Sequence, residues 1–170
     1  MNFLGEEFRN FAVIVGVGVA LWSLRTTITL ARRKQSADLI FAGRNDDSFV
    51  KGIRAVRKYH TAGNIKTLAH IPANSSEDAN HVRYLLNYFE AMSVGVKKKI
   101  YDEEILYLNY KTTLKHVLEF SAPYLKEVRL VQDTSSLYRE AEWLADRWRA
   151  AEVSRWTRIR IRLAFGKSIG

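Results

Sequence analysis

The chain has 170 residues, of which 47% are hydrophobic and 26% charged, and it contains no cysteine. This composition fits one globular domain with an apolar core. It excludes collagen-like, disulfide-stapled and wholly disordered chains, together with thiolate metal sites and a cysteine nucleophile. Lysine and arginine exceed aspartate and glutamate by nine, a surplus typical of chains that bind nucleic acid or an anionic membrane.

The positive charge lies on two flanks of a near-neutral centre. Residues 32–75 carry nine basic and three acidic groups, and residues 155–170 carry five basic groups and no acid. Residues 76–154 carry eleven basic and thirteen acidic groups. A nucleic-acid-binding domain more often spreads its charge over the folded body. The distribution therefore favours an anionic membrane surface and disfavours nucleic acid as the partner.

The N-terminal segment predicts a transmembrane helix. Residues 8–27 carry charge only near their ends, at Arg9 and Arg25. A helix of about 20 residues spans the ~30 Å hydrocarbon core, and the two arginines can reach the headgroups. Glu6 and Glu7 stand where a signal peptide would be basic, so a cleaved signal fits poorly. The alternative is a buried core helix of a soluble protein.

Basic residues follow this span on its C-terminal side. The positive-inside rule then places the N-terminus outside and the following domain in the cytoplasm. We expect a single-pass protein of the bacterial inner membrane, in which these side chains contact the anionic surface. The basic residues concerned are Arg25, Arg32, Arg33 and Lys34.

Small residues recur along one face of the span. Ala12, Gly16 and Ala20 are spaced four apart, which lets a second helix approach closely. We expect this face to pack against a partner helix or a second copy of the chain.

No turn signal interrupts the chain between Arg25 and Gly43, so the membrane helix is predicted to continue as a stalk that ends at the glycine. The domain division that follows has four parts. They are a membrane anchor at 1–28, a basic helical stalk at 29–45, a helical bundle at 46–152 and a basic amphipathic tail at 153–170.

The first half of the bundle segment contains clear helix signals. Asp46 or Asp47 can cap a helix that Gly63 closes, and Ser75 and Ser76 can start the next one. That helix has an apolar stripe at helical spacing. The stripe is Val82, Leu85, Leu86, Phe89, Met92 and Val96.

The second half continues the helical pattern. A helix is predicted from Asp102 to about Ser121, Pro123 is predicted to start another, and residues 132–136 indicate a break. A last stripe follows, at Leu137, Ala141, Leu144, Trp148 and Ala151. Because no hairpin signal occurs, the predicted fold is all-α: a transmembrane helix, a stalk and a small helical bundle.

Residues 85–106, LLNYFEAMSVGVKKKIYDEEIL, resemble the central signature of an uncharacterised family of bacterial and phage single-span membrane proteins, the domain of unknown function 4760. The likeness extends from the span through Arg32 and Arg33 to Leu144 and Trp148. It implies the same architecture, and it implies no reaction because the family has none assigned.

Two polar residues lie beside the apolar stripe within this signature. Asn87 and Glu90 are three apart and share a helix face. The favoured interpretation is a structural polar pair that satisfies a neighbouring backbone end, because partly buried polar groups need partners. The alternative is an interaction or ligand-binding pair.

One pair of residues matches a catalytic spacing. Arg54 and His60 are separated by five residues, as in the arginine–histidine motif of helical HEPN ribonucleases, where histidine moves a proton and arginine stabilises phosphate charge. About one such match is expected by chance in a chain this rich in arginine. We therefore predict no catalytic site, and no metal or cofactor site either.

The tail alternates basic and apolar residues, which separates them as a strand and also gives a helix with an apolar face. We expect it to lie on an anionic leaflet. The alternatives are contact with nucleic acid and packing on the domain. The residues that carry the expectation are Trp156, Arg158, Arg160 and Arg162.

The anchor, stalk and bundle together predict a membrane-anchored, cytoplasm-facing helical module that recruits or regulates a protein partner at the inner membrane. One alternative is a membrane-tethered HEPN-like ribonuclease, acting as a toxin or defence effector. The other is a helical subunit of a larger membrane or virion assembly.

Overall fold

The computed structural model describes the backbone of residues 3–165 and the side chains of residues 10–152. Over this range the chain is all-α, as predicted, with no strand. The helices are α1 (Phe3–Asn45), α2 (Asp47–Thr61), a 3₁₀ helix (Ile65–His70), α3 (Glu77–Lys97), α4 (Glu103–Val131) and α5 (Arg139–Phe165).

Helix α1 is uninterrupted over 43 residues, which corresponds to about 65 Å. The predicted continuation of the apolar helix beyond Arg25 without a break is confirmed. The predicted end at Gly43 is wrong, because α1 ends at Asn45. A β-carbon at Gly43 would lie 2.7 Å from the hydroxyl oxygen of Tyr88 and 2.8 Å from that of Tyr110. The glycine therefore permits close packing of α1, and it does not terminate the helix.

The bundle is formed by the last third of α1, helices α2 to α5 and the 3₁₀ helix. The last third of α1 runs in the same direction as α4, since Arg33 contacts Asp102 and Arg44 contacts Asn109. Helix α2 continues away from the end at which α1 enters the bundle, and it runs antiparallel to α3. The 3₁₀ helix packs on α4 near its C-terminus, and α5 returns across α3 and the first half of α4.

The predicted helix starts at acidic and hydroxyl residues are confirmed. Asp46 accepts a hydrogen bond from the Phe49 amide, and Ser76 accepts one from the Ala79 amide. Asp102 caps α4 in the same way. Each side chain satisfies an amide that has no partner within its own helix.

The core lies between α3 and the helices around it. All six residues of the predicted α3 stripe are buried, with at most 6% of any of them exposed. Phe49 from α2 and Tyr110 from α4 pack against Phe89 at the centre. The 3.6-residue periodicity of the sequence therefore identified the face of α3 that the other helices cover.

Helix α4 corrects the expected break before Pro123. The helix passes through this proline without interruption. The proline and Ala122 are exposed while Ser121 and Tyr124 are buried, so the ring and the carbonyl that loses its donor lie on the solvent side. Buried residues on both sides of Pro123 hold the helix against the core.

Helix α5 corrects the expected last stripe at both ends. Leu137 precedes the helix, which begins at Arg139 after Tyr138 takes a left-handed φ of 60°. Ala141, Leu144 and Trp148 are buried, as expected from the spacing, whereas Ala151 is exposed. The helix continues to Phe165, while the side chains of Trp156, Arg158, Arg160 and Arg162 lie outside the described residues.

Candidate membrane-facing site

Helix α1 has an exposed segment, residues 10–31, in which every side chain is accessible to solvent. Trp22 is 72% exposed and Ile14 70%. The part of α1 from Asn10 onward contains a window with mean hydropathy 1.7, none of it buried. The segment is therefore long and apolar enough to cross a membrane. The alternative of a buried core helix does not fit, because no part of the described bundle covers it.

The small residues Ala12, Gly16 and Ala20 lie within this exposed segment. Apart from its own stretch of α1, a β-carbon at Gly16 would meet no described atom within 4 Å. This face is open to a second helix, and its packing role remains a prediction.

The docked segment of α1, residues 32–45, contacts the bundle. Ser36 is fully buried; its hydroxyl donates to the Arg32 carbonyl at 2.9 Å and accepts from the Asp102 amide at 2.8 Å. The Tyr88 hydroxyl donates to the Leu39 carbonyl at 2.9 Å. Burial raises the pKa of the Tyr88 hydroxyl far above its usual value, so this donor keeps its proton. The residues predicted to form a stalk are thus largely part of the bundle.

We call the end of the bundle at which α1 enters the proximal end. It consists of residues 32–36 of α1, the α3–α4 loop at 98–102 with Lys97, and the first turn of α4. Arg33 donates to Asp102 at 3.4 Å here. This contact and the Ser36 hydrogen bond fix the α3–α4 loop against α1.

The α3–α4 loop presents basic and apolar side chains. Lys99 has a left-handed φ of 58°, and the amides of Lys99 and Ile100 donate to the carbonyls of Val96 and Gly95 at 3.0 and 2.9 Å. This is the Schellman pattern of a helix C-terminus, in which glycine usually takes the left-handed position. Lysine occupies it here, and Ile100 is 47% exposed.

The first lysine of the loop region differs from the next two. Lys97 donates to both carboxylate oxygens of Glu140 at 2.8 Å and lies 5.5 Å from the centre of the Trp143 ring. For Lys98 and Lys99 the described residues provide no ion pair, and both side chains are exposed. Two positive charges are therefore presented to the surroundings of the proximal end.

Acidic groups offset part of this charge. Asp102 pairs with Arg33, and Glu103 pairs with Arg147 at 2.7 Å. Among the described residues of this end and of α1 as far as Asp38, more cations than acids are left without an ion pair. They are Arg32, Lys34, Lys98 and Lys99 against Asp38 and Glu104. The proximal end is therefore a cationic surface.

Glu90 lies on α3, facing the start of α5. Its carboxylate accepts the amides of Glu140 at 3.3 Å and Ala141 at 2.8 Å. Both amides belong to the first turn of α5, where a carboxylate also complements the helix dipole. Asn87 is exposed, and among the described residues its side chain has no recorded hydrogen bond.

Arg54 and His60 are both exposed on α2. They are six positions apart in the helix, which places them about 120° apart around the axis and about 9 Å apart along it, so they lie on different faces. The His60 ring stacks on Phe120, with 4.2 Å between ring centres. No group of three or more His, Asp or Glu in the described part of the chain is placed to hold a metal ion.

Sequence reasoning missed that Ser36 and the loop residues Lys98 to Ile100 lie together at one end of the bundle. Ser36 and Asp102 are 66 residues apart in the chain, so no local pattern places the loop beside α1. Within this end of the bundle, charge patterning in the sequence identified only residues 32–34.

No curated protein and no solved structure matches the chain. The sequence model described as Domain of unknown function (DUF4760) matches residues 10–148, a range that begins in the exposed segment of α1 and ends in α5. The chain belongs to this family.

Proposed function

We propose that the chain is a single-span protein of the bacterial inner membrane whose helical bundle faces the cytoplasm and recruits a protein partner there. The observation that carries the proposal is the change of environment within α1. Its exposed segment is apolar and uncovered, and its docked segment is part of the bundle. Apolar surface of this extent needs lipid or protein around it.

The proposed anchor is joined to the bundle without a flexible linker. Contacts at Arg33, Ser36, Leu39 and Arg44 extend over three turns of α1. If the span ends at Thr27, Arg33 lies about 9 Å further along the helix. The bundle is then held at a fixed distance from the membrane, which suits a module that presents a surface to a partner.

The orientation follows from the basic residues after the span. Arg25, Arg32, Arg33 and Lys34 follow it, whereas Arg9 stands alone before it. Under the positive-inside rule the bundle is cytoplasmic and the N-terminus is outside.

A partner surface is available beside the docked segment. Phe41 on α1 is 61% exposed and Leu108 on α4 is 65% exposed. Each lies within one helical turn of the contact between Arg44 and Asn109, which are 3.3 Å apart. Large apolar side chains surrounded by polar ones are typical of protein-interaction surfaces, and we assign the partner to this α1–α4 seam.

The tail leaves the bundle near the proximal end. Glu152 accepts a hydrogen bond from the Tyr107 hydroxyl at 3.1 Å and lies 3.4 Å from the Lys111 amine, both in the first third of α4. We propose that the basic residues after it contact the anionic leaflet.

The absence of cysteine from the sequence allows a direct topology experiment. Asn2→Cys and Lys66→Cys variants are expressed in bacteria, and intact spheroplasts are treated with a membrane-impermeant maleimide. We expect labelling at position 2 in intact spheroplasts and at position 66 only after lysis. The reverse pattern would contradict the orientation, and recovery of the chain in the soluble fraction would contradict the anchoring.

The partner surface is tested by photo-crosslinking in cells. A photoreactive residue at Phe41 should give one adduct of defined mass that disappears in the Leu108→Ser background. The same residue at Leu130, which is 69% exposed at the opposite end of α4, is the matched control. An adduct of twice the chain mass would identify a second copy as the partner. Equal adducts at both positions, or none at Phe41, would contradict the assignment.

A further inference from the structure

We infer that the α3–α4 loop, through Lys98, Lys99 and Ile100, is a second membrane contact that binds anionic lipid headgroups beside α1. The inference rests on the proposed anchoring of the exposed segment of α1. It adds a site on the folded bundle, distant in sequence from both basic flanks of the chain.

The first step is position. The loop is held against α1 by the hydrogen bond from the Asp102 amide to Ser36 at 2.8 Å and by the contact of Arg33 with Asp102 at 3.4 Å. If the span ends at Thr27, these two α1 residues lie about 9 to 14 Å beyond it along the helix. The headgroup layer occupies roughly 5 to 7 Å on each side of the hydrocarbon core.

The second step is range. The surface potential of an anionic leaflet falls off over about 8 to 10 Å at physiological salt. The loop lies within that distance of the headgroup layer, and long lysine side chains shorten the remaining gap. The 3₁₀ helix, which packs on α4 near its C-terminus, lies at the opposite end of the bundle and far outside this range.

The third step is chemistry. Lys98 and Lys99 are exposed with no ion pair recorded among the described residues, and Ile100 beside them is 47% exposed. Basic residues with an adjacent apolar side chain are typical of segments that bind anionic interfaces. Each basic residue near such a surface strengthens binding about fivefold.

The fourth step is the backbone at Lys99. Its φ of 58° lies in the left-handed region, where glycine is the favoured residue at a helix C-terminus. A sequence optimised only for the fold would carry glycine there. Lysine at this position places a charge on an exposed part of the loop. Lys99→Gly separates folding from lipid contact because the two effects have opposite signs.

The experiment uses the full chain in lipid nanodiscs, either of phosphatidylcholine alone or of phosphatidylcholine mixed with phosphatidylglycerol. A fluorophore is attached to Ile100→Cys or, as the distal control, to Lys66→Cys. A spin-labelled headgroup serves as the quencher. We expect quenching at position 100 that increases with phosphatidylglycerol, and none at position 66 in either lipid.

Charge variants then test the lysines. Lys98→Gln with Lys99→Gly should remove the increase at position 100 caused by phosphatidylglycerol, whereas Lys126→Gln near the end of α4 should not. Lys99→Gly alone should raise the melting temperature in detergent. Equal quenching in both lipids, or no response to the lysine variants, overturns the inference while the anchor stands. Failure of the chain to incorporate into the nanodiscs overturns the anchoring itself, and the inference with it.

Discussion

The two segments of α1 belong to one helix but differ in how their side chains are buried. In the exposed segment, residues 10–31, every side chain is exposed and none is buried by other described residues. In the docked segment, residues 32–45, the buried positions are Ser36, Ile40 and Gly43, spaced four and three apart. A one-sided buried stripe is typical of a helix on a globular core, whereas a helix that is apolar all round is typical of a membrane span. The change from one pattern to the other marks where the bundle begins.

The difference also shows how the two environments are connected. Residues 26–42 contain neither glycine nor proline, and α1 has no break there. Displacement of the exposed segment is therefore transmitted to the bundle.

The largest effect is expected from charges in the exposed segment. Val15→Arg with Val19→Arg should oppose membrane insertion by about 5 to 7 kcal/mol, because each arginine near the centre of a span costs roughly 2.5 to 3.5 kcal/mol. The chain should leave the carbonate-resistant membrane fraction while circular dichroism shows an unchanged melting transition of the bundle. The control is Val15→Leu with Val19→Leu. Continued membrane retention of the arginine variant would contradict the account.

A smaller effect, confined to the docked segment, is expected from a single methyl group. Gly43→Ala should lower the free energy of unfolding by about 1 to 3 kcal/mol, because the added carbon overlaps the Tyr88 and Tyr110 hydroxyls. Gly18→Ala is the matched control, since apart from its own stretch of α1 a β-carbon there meets no described atom within 4 Å. Urea titration in detergent measures both. Equal effects at the two glycines would show that α1 is not docked as described.

The junction between α1 and α2 should respond to pH. Asp46→Ala should lower the free energy of unfolding by about 1 kcal/mol at neutral pH, because the cap of α2 is lost. The hydrogen bond from Tyr84 holds the pKa of the Asp46 carboxyl below its usual 3.8. The carboxylate therefore contributes most above pH 3.8, and its contribution is lost as the pH falls through the lower pKa of the folded state.

The measurement is the stability difference between the wild-type chain and Asp46→Ala across this pH range. The difference should shrink in acid. Asp47→Ala, which removes only an exposed ion pair with Lys51, is the control and should show little change. A difference that grows toward low pH would contradict the assignment of the cap.

The smallest effect is expected from Arg33, where α1 meets the α3–α4 loop. Arg33→Gln removes an ion pair whose arginine side chain is 61% exposed, so stability should fall by less than about 1 kcal/mol. Ser36→Ala should cost more, about 1 to 3 kcal/mol, because it leaves the partly buried Asp102 amide without its acceptor. If the order of these two effects in urea titration is reversed, Arg33 holds the loop and Ser36 does not.

Signals confined to a few residues were sufficient for much of the fold. The buried stripe of α3 and the caps at Asp46, Ser76 and Asp102 follow from helical spacing and from side chains that bond to nearby amides. Pro123 is the counterexample. The local signal predicts a break, but the helix continues because α4 presents the proline to solvent and buries Tyr124 beyond it.

The candidate site depended on packing that the sequence does not display. Gly43 has the signature of a helix end, and only the two tyrosine hydroxyls beside it show that it permits close approach. Lys98 and Lys99 follow α3 in the chain, and the Ser36–Asp102 hydrogen bond is what brings their loop to α1. Sequence periodicity reports which side of a helix is covered, but not which distant loop covers it.

The central claim is that α1 passes from lipid into the bundle near residue 32. A nitroxide scan of single cysteines along α1 from position 12 to position 44 in reconstituted bilayers tests it most directly, by the accessibility of each label to oxygen and to a water-soluble nickel complex. The account predicts low nickel accessibility on all faces up to about Thr27, with high oxygen accessibility on every face that contacts lipid, then a 3.6-residue periodicity beyond residue 32. Nickel accessibility on one face throughout residues 12–27 would contradict it.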